Sequence, residues 1–179
     1  MALAFELVIN YGGHRQAVEL ARAVVSEYPP LRAGHHAVPL HRPLLSDLRS
    51  DPRRGLRVPE AEPYLELSIL PVGVGYGVAL DRDHPRLQLT TDELTELGHG
   101  LYRLLSQLTG YQAAMVGWDP EDPVDLAELR SEWSEELGAG LLPGLVLSHE
   151  VLRSLSAGAG FQPFASGFDW IPYQGERRV

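Results

Sequence analysis

Residues 4–10, Ala-Phe-Glu-Leu-Val-Ile-Asn, put Phe5, Leu7 and Ile9 on one side of an extended chain and Ala4, Glu6 and Val8 on the other. Both sides are largely apolar, so the segment reads as a strand near the centre of a sheet. Tyr11-Gly12-Gly13 ends it. Ala17, Val18, Ala21, Val24, Val25 and Tyr28 then recur at helical spacing until Pro29-Pro30 stops the run. A clearer helix opens with Thr90 and Glu93 as a capping box and carries Leu94, Leu97, Leu101, Leu104, Leu105 and Leu108 along one stripe up to Gly110.

Between these helices, Leu65, Leu67 and Ile69 alternate with Tyr64, Glu66 and Ser68. Pro71-Val72-Gly73 then turns the chain into Val74, Tyr76, Val78 and Leu80, the pattern of a hairpin. Residues 111–116 read as a further strand. Strand, helix, strand, strand, helix, strand is the order of a split βαβ, or ferredoxin-like, α+β fold, with an antiparallel sheet and both helices on one face. Residues 3–117 supply this core, 118–179 form an extension packed on it, and 1–179 make a single domain. A proline- and arginine-rich insertion runs from 29 to 62, with a short helix expected at Pro43 and Leu44, Leu45 and Leu48 as its packing face. An excursion of that length is either a binding loop or a mobile one.

In the extension, Asp122 caps a third helix with Pro123 at its first position, and Leu126, Leu129, Trp133 and Leu137 form its inner stripe. Leu145 to Leu147 suggest a short strand, and Ser148 caps a short helix through Leu155. The aromatic tail from Phe161 to Tyr173 is expected to dock, with an edge strand around Phe168 to Ile171.

The chain has 179 residues, no cysteine, and 15 basic residues that are all arginine. Without lysine there is no Walker-type P-loop, Schiff-base chemistry or kinase machinery, and without cysteine no thiol nucleophile or thiolate-bound metal. The formal charge is −9. Asp119, Glu121, Asp122, Asp125, Glu128, Glu132, Glu135 and Glu136 oppose only Arg130, so one short segment carries nearly all of the imbalance. Nucleic acid needs a basic face and is not expected as a ligand, whereas a basic protein is a matched partner. No apolar run approaches the ~20 residues of a membrane-spanning helix. The N-terminal residues contain Glu6 and lack a basic leader, so a cytoplasmic location is expected.

Other motifs are weaker. Gly73-Val-Gly75-Tyr-Gly77 has the wrong spacing and setting for a dinucleotide fingerprint. Gly12, Gly13, His14 and Arg15 join the first strand to the first helix, where backbone N–H groups and the helix dipole suit a phosphate or carboxylate. His35, His36 and His41 form the nearest histidine cluster, but adjacent histidines on a strand point apart, so they read as a surface loop and no metal site is expected. Ser148-His149-Glu150 cannot converge as a triad. No catalytic residue and no cofactor is expected.

Gly117-Trp118-Asp119 before an acidic helix, and the closing Phe168-Asp169-Trp170-Ile171-Pro172-Tyr173, give residues 111–175 a resemblance to bacterial immunity proteins of polymorphic toxin systems. That resemblance implies a protein that binds and blocks a cognate toxin, often a basic nuclease, and it carries over no catalytic residues. The expected function is non-enzymatic binding of a basic partner through Trp118, Asp122, Asp125, Glu128, Glu132, Glu135 and Glu136. The alternatives are an enzyme or binding domain for an anionic small molecule at Gly12-Gly13, and a homodimer through the sheet edge or the aromatic tail.

Overall fold

The computed structural model describes residues 2–48 and 63–176. Strand β1 (Leu3–Asn10) is the spine. Phe5, Leu7, Val8 and Ile9 have no exposed surface, so the strand is buried on both faces, as its two apolar sides require. Helix α1 (Arg15–Ser26) follows, then a small hairpin of β2 (Leu31–Ala33) and β3 (His36–Val38). The expected helix at Pro43 is instead strand β4 (Leu44–Asp47), paired antiparallel with β5 (Leu65–Ile69). Leucine here follows the register of a neighbouring strand rather than its own helix propensity. Arg49, Arg53, Arg54 and Arg57 lie outside the described residues.

The expected hairpin of 64–80 does not form. Leu67 and Ile69 of β5 pair antiparallel with Ile9 and Leu7 of β1. After a detour through 70–74, the two residues of β6 (Gly75–Tyr76) return to the same strand opposite Ala4 and Leu3. Gly75 permits this approach, since a Cβ there would sit 2.6 Å from Val78 and 3.0 Å from the Leu3 carbonyl. Helix α2 (Thr91–Leu105) then leads to β7 (Ala113–Trp118), which pairs antiparallel with the other edge of β1. In the order β4-β5-β1-β7, β5 is thus paired with β4 on one side and β1 on the other, in place of a hairpin within 64–80.

The sheet continues where a ferredoxin-like description would stop. Strands β8 (Val146–Ser148), β9 (Gln162–Ala165) and β10 (Phe168–Trp170) extend it in the order β7-β8-β10-β9. The aromatic tail docks, but β10 is an inner strand and β9 is the edge. The architecture is α+β with a mostly antiparallel sheet, and all named strand pairs among the described residues are antiparallel.

Two cores lie against the sheet. On one face, Phe5, Leu7 and Ile9 meet Val18, Ala21 and Val25 of α1 and Leu97, Leu101, Leu104 and Leu105 of α2. On the other, Val8 and Ala113 meet Val124, Leu126, Leu129, Leu137 and Leu147. Thr90 and Glu93 form the expected capping box at the start of α2. No helix among the described residues is long and apolar enough to cross a membrane.

Tyr102 joins α2 to the extension. Its hydroxyl donates to the Gly144 carbonyl at 2.7 Å and accepts from the Val116 N–H at 3.2 Å. Its ring stands edge-on to Trp170. Burial pushes the phenol pKa up, so the group stays a neutral donor. Tyr102→Phe strands a buried N–H and a buried C=O, and should cost about 1–3 kcal/mol in urea unfolding. A loss below ~0.5 kcal/mol, within the range of an ordinary surface change, would show that these bonds do not hold the extension in place.

Candidate functional site: an acidic face

The second face of β1 carries Glu6 between Ala4 and Val8. Its partner across the ladder is Gly117, which offers no side chain to cover it. Glu6 is only 5% exposed. Strand β7 gives way to a turn at Asp119, whose φ of 44° lies in the left-handed region that aspartate tolerates better than most residues. Asp119 holds the strand end from both sides: its Oδ1 accepts from the Ala4 N–H at 2.8 Å, and its own N–H donates to the Ala4 carbonyl at 3.0 Å. This turn brings Glu121 back toward Glu6, and one carboxylate oxygen from each of Glu6, Asp119 and Glu121 lies within 4.8 Å of the others.

Such crowding has to be relieved by protons or cations. Burial first, then Glu121, Glu66 and Asp119, push the Glu6 carboxyl up to about 8, and a hydrogen bond with Ser68 opposes the shift. Glu121 is also raised, by burial first and then by Asp119 and Asp122. The charged groups acting on both are carboxylates. At neutral pH Glu6 therefore holds its proton. Its all-oxygen donor set is of the type that takes hard cations such as Mg²⁺ or Ca²⁺.

Outside this cluster, the expected third helix is broken into α3 (Glu121–Val124), α4 (Leu126–Ser131) and α5 (Ser134–Ala139). The break at Asp125 has a local cause: the residue adopts an extended ψ of 112° and its Oδ1 accepts from the Ala127 N–H at 2.9 Å, starting a new helix. Asp125 is thus a buried cap and not a contact residue. Leu126, Leu129 and Leu137 face the core as expected, and Trp133 is half-buried. Asp119, Asp122, Glu132 and Glu135 are exposed, while Glu128 and Glu136 are half-buried. Among the described residues, no guanidinium or imidazole pairs with Asp119, Asp122, Glu132, Glu135 or Glu136.

Trp118 does not join this face. It lies opposite Phe5 in the ladder, so its ring points to the α1–α2 side, edge-on to Phe5 at 5.4 Å and near Tyr76 at 5.9 Å. There it borders a 240 Å³ pocket with Tyr76, Arg86 and Leu94. Alternation along a strand explains the separation: Trp118 and Gly117 face opposite ways.

Three backbone donors of the glycine turn before α1 are engaged within the chain. The Gly12 N–H donates to Asn10 Oδ1 at 2.8 Å, the His14 N–H to the Tyr11 carbonyl at 3.1 Å, and the Arg15 N–H to the Gly13 carbonyl at 2.9 Å. The His14 ring donates from Nδ1 to the Gly110 carbonyl at 2.8 Å, and Arg15 reaches Asp47 at 3.5 Å. Gly12, His14 and Arg15 thus direct these donors to partners within the chain.

The remaining motifs settle locally. Ser148 caps α6 (His149–Ser154) by accepting from the Val151 N–H, and His149 pairs with Asp169 at 3.1 Å. His41 bonds Asp81 at 2.6 Å, away from His35 and His36.

The Glu6 shift has a sign that can be checked. Because the folded pKa lies above the unfolded one, the stability linked to Glu6 is complete below about 4.5 and is lost as pH rises through about 8. Glu6→Gln should remove this dependence, so that urea unfolding favours the variant increasingly between pH 5 and pH 8, by an amount on the order of a few kcal/mol. Parallel stability profiles would mean that Glu6 does not hold a proton in the fold. Comparison of the chain with protein-family models, curated proteins and solved structures finds no match.

Proposed function

We propose that the chain is a non-enzymatic cytoplasmic binding protein that neutralises or regulates a basic protein partner through the exposed carboxylates of Asp119, Asp122, Glu132 and Glu135. The immunity-protein resemblance makes a toxin domain the natural candidate for that partner. The observation that carries this reading is that Asp119, Asp122, Glu132 and Glu135 have no ion-pair partner among the described residues, backed by Glu6 and Glu121, whose pKa values are raised by burial and then by neighbouring carboxylates. Like charges close together on short helices repel by a few tenths of a kcal/mol per pair, and an arginine- or lysine-rich surface would reverse that sign.

An interface also needs an apolar centre. Leu141, 67% exposed just beyond α5, borders an open groove of about 570 Å³ with Met115, Gly140, Pro143 and Tyr173. Exposed carboxylates support fast, salt-sensitive encounter, and apolar contacts buried on binding slow dissociation.

The test is capture from the source organism with the parent protein and with Glu132→Arg/Glu135→Arg, at low and high salt. The proposal expects a basic protein retained by the parent, released as salt rises, and absent from the double variant. Capture should also tighten as pH rises from 6 toward 8, because a cationic partner favours the ionised forms of Glu6 and Glu121. Retention of the same protein by parent and double variant alike, unaffected by salt, would remove the acidic face from its function.

A further inference from the structure

The tip of the β2–β3 hairpin brings together residues that the linear sequence keeps apart. Gly34 and His35 form the two-residue turn, with Gly34 at a φ of 59°, the geometry of turns whose first central residue is glycine. His35 is therefore a turn residue and His36 a strand residue, so the rule that neighbouring side chains on a strand diverge does not apply to them. Their rings stand 4.0 Å apart, tilted by 36°. Glu93, in the first turn of α2, lies against the same tip, and one donor atom from each of His35, His36 and Glu93 lies within 4.8 Å of the others.

We propose that His35, His36 and Glu93 form a surface site for a divalent transition-metal ion of the zinc class. Two imidazoles and one carboxylate are a donor set that favours zinc, nickel, cobalt or copper over magnesium or calcium. Zinc bound at 2.0–2.1 Å by tetrahedral donors spaces them about 3.3 Å apart, so a small rotation of these surface side chains closes the present arrangement onto an ion. Three protein donors leave a fourth position for water, which makes the site exchangeable.

The surroundings hold the carboxylate in place. Glu93 Oε2 accepts from the Thr90 N–H at 2.8 Å, while the Glu93 N–H donates to Thr90 Oγ1 at 3.2 Å. That capping box fixes the side chain and leaves Oε1 beside Gly34, where a Cβ would collide with it. Glu96, three residues further along α2, grips the turn, its Oε2 accepting from the Gly34 N–H at 2.6 Å. Hydrogen bonds from a neighbouring shell that orient a ligand are what distinguish a prepared metal site from a chance cluster.

The experiment is calorimetric titration of the tag-free protein with Zn²⁺, with Co²⁺ as a visible-absorption reporter of nitrogen ligation. The parent should bind one equivalent, and Mg²⁺ or Ca²⁺ should not displace it. Glutamine also serves at the third helical position of a capping box, so Glu93→Gln keeps the helix start and tests the charge alone. It should weaken Zn²⁺ binding about tenfold, and His35→Ala/His36→Ala should abolish it with the thermal melt of the apo protein unchanged. Absence of Zn²⁺ binding at millimolar metal, or equal affinity in the double alanine variant, overturns the proposal.

Discussion

The structure depends on covering β1 on both faces while its sequence keeps two polar side chains on one of them. The apolar row of Phe5, Leu7 and Ile9 is closed by α1 and α2 without difficulty. The opposite row contains Val8 but also Glu6 and Asn10, both almost completely buried. Asn10 is resolved by hydrogen bonds: its Nδ2 donates to the Val124 carbonyl at 2.8 Å and its Oδ1 accepts from the Gly12 N–H. It thereby fastens the end of α3 to the exit of the central strand. Glu6 is handled differently, by proton retention beneath Asp119 and Glu121. A buried ionised carboxylate without a cation is too costly to persist at neutral pH.

What the sequence made legible follows from local signals. The two long helices, the capping box at Thr90, the cap at Ser148 and the central strand all rest on periodicity or on hydrogen bonds within one turn, and they stand where expected. The segments that moved depend on distant partners. Leu44 and Leu45 form a strand because β5 offers them an edge, and Val74 to Leu80 fail to form one because only Gly75 and Tyr76 reach β1.

The acidic face was legible in part. Its charge could be counted along the chain, but its division into exposed contacts and a buried cap at Asp125 needed the three-dimensional break between α3 and α4. Trp118 was misplaced because its position relative to the helices depends on strand alternation across β7. The inner cluster was missed altogether, although a glutamate in the middle of an apolar strand was its signal. Glu6 and Glu121 are more than a hundred residues apart, and only the turn at Asp119 makes them neighbours. His35 and Glu93 are joined in the same way, by a glycine turn meeting a helix start.

At its far edge the sheet ends in β9, Gln162-Pro163-Phe164-Ala165, next to a register shift between Phe168 and Asp169 of β10. Proline lacks a hydrogen to share, and an irregular ladder twists its outermost ribbon. A further copy of the chain arriving at that border meets an incomplete template. The molecule thus carries a built-in obstacle to fibril growth on the side where its aromatic residues are densest.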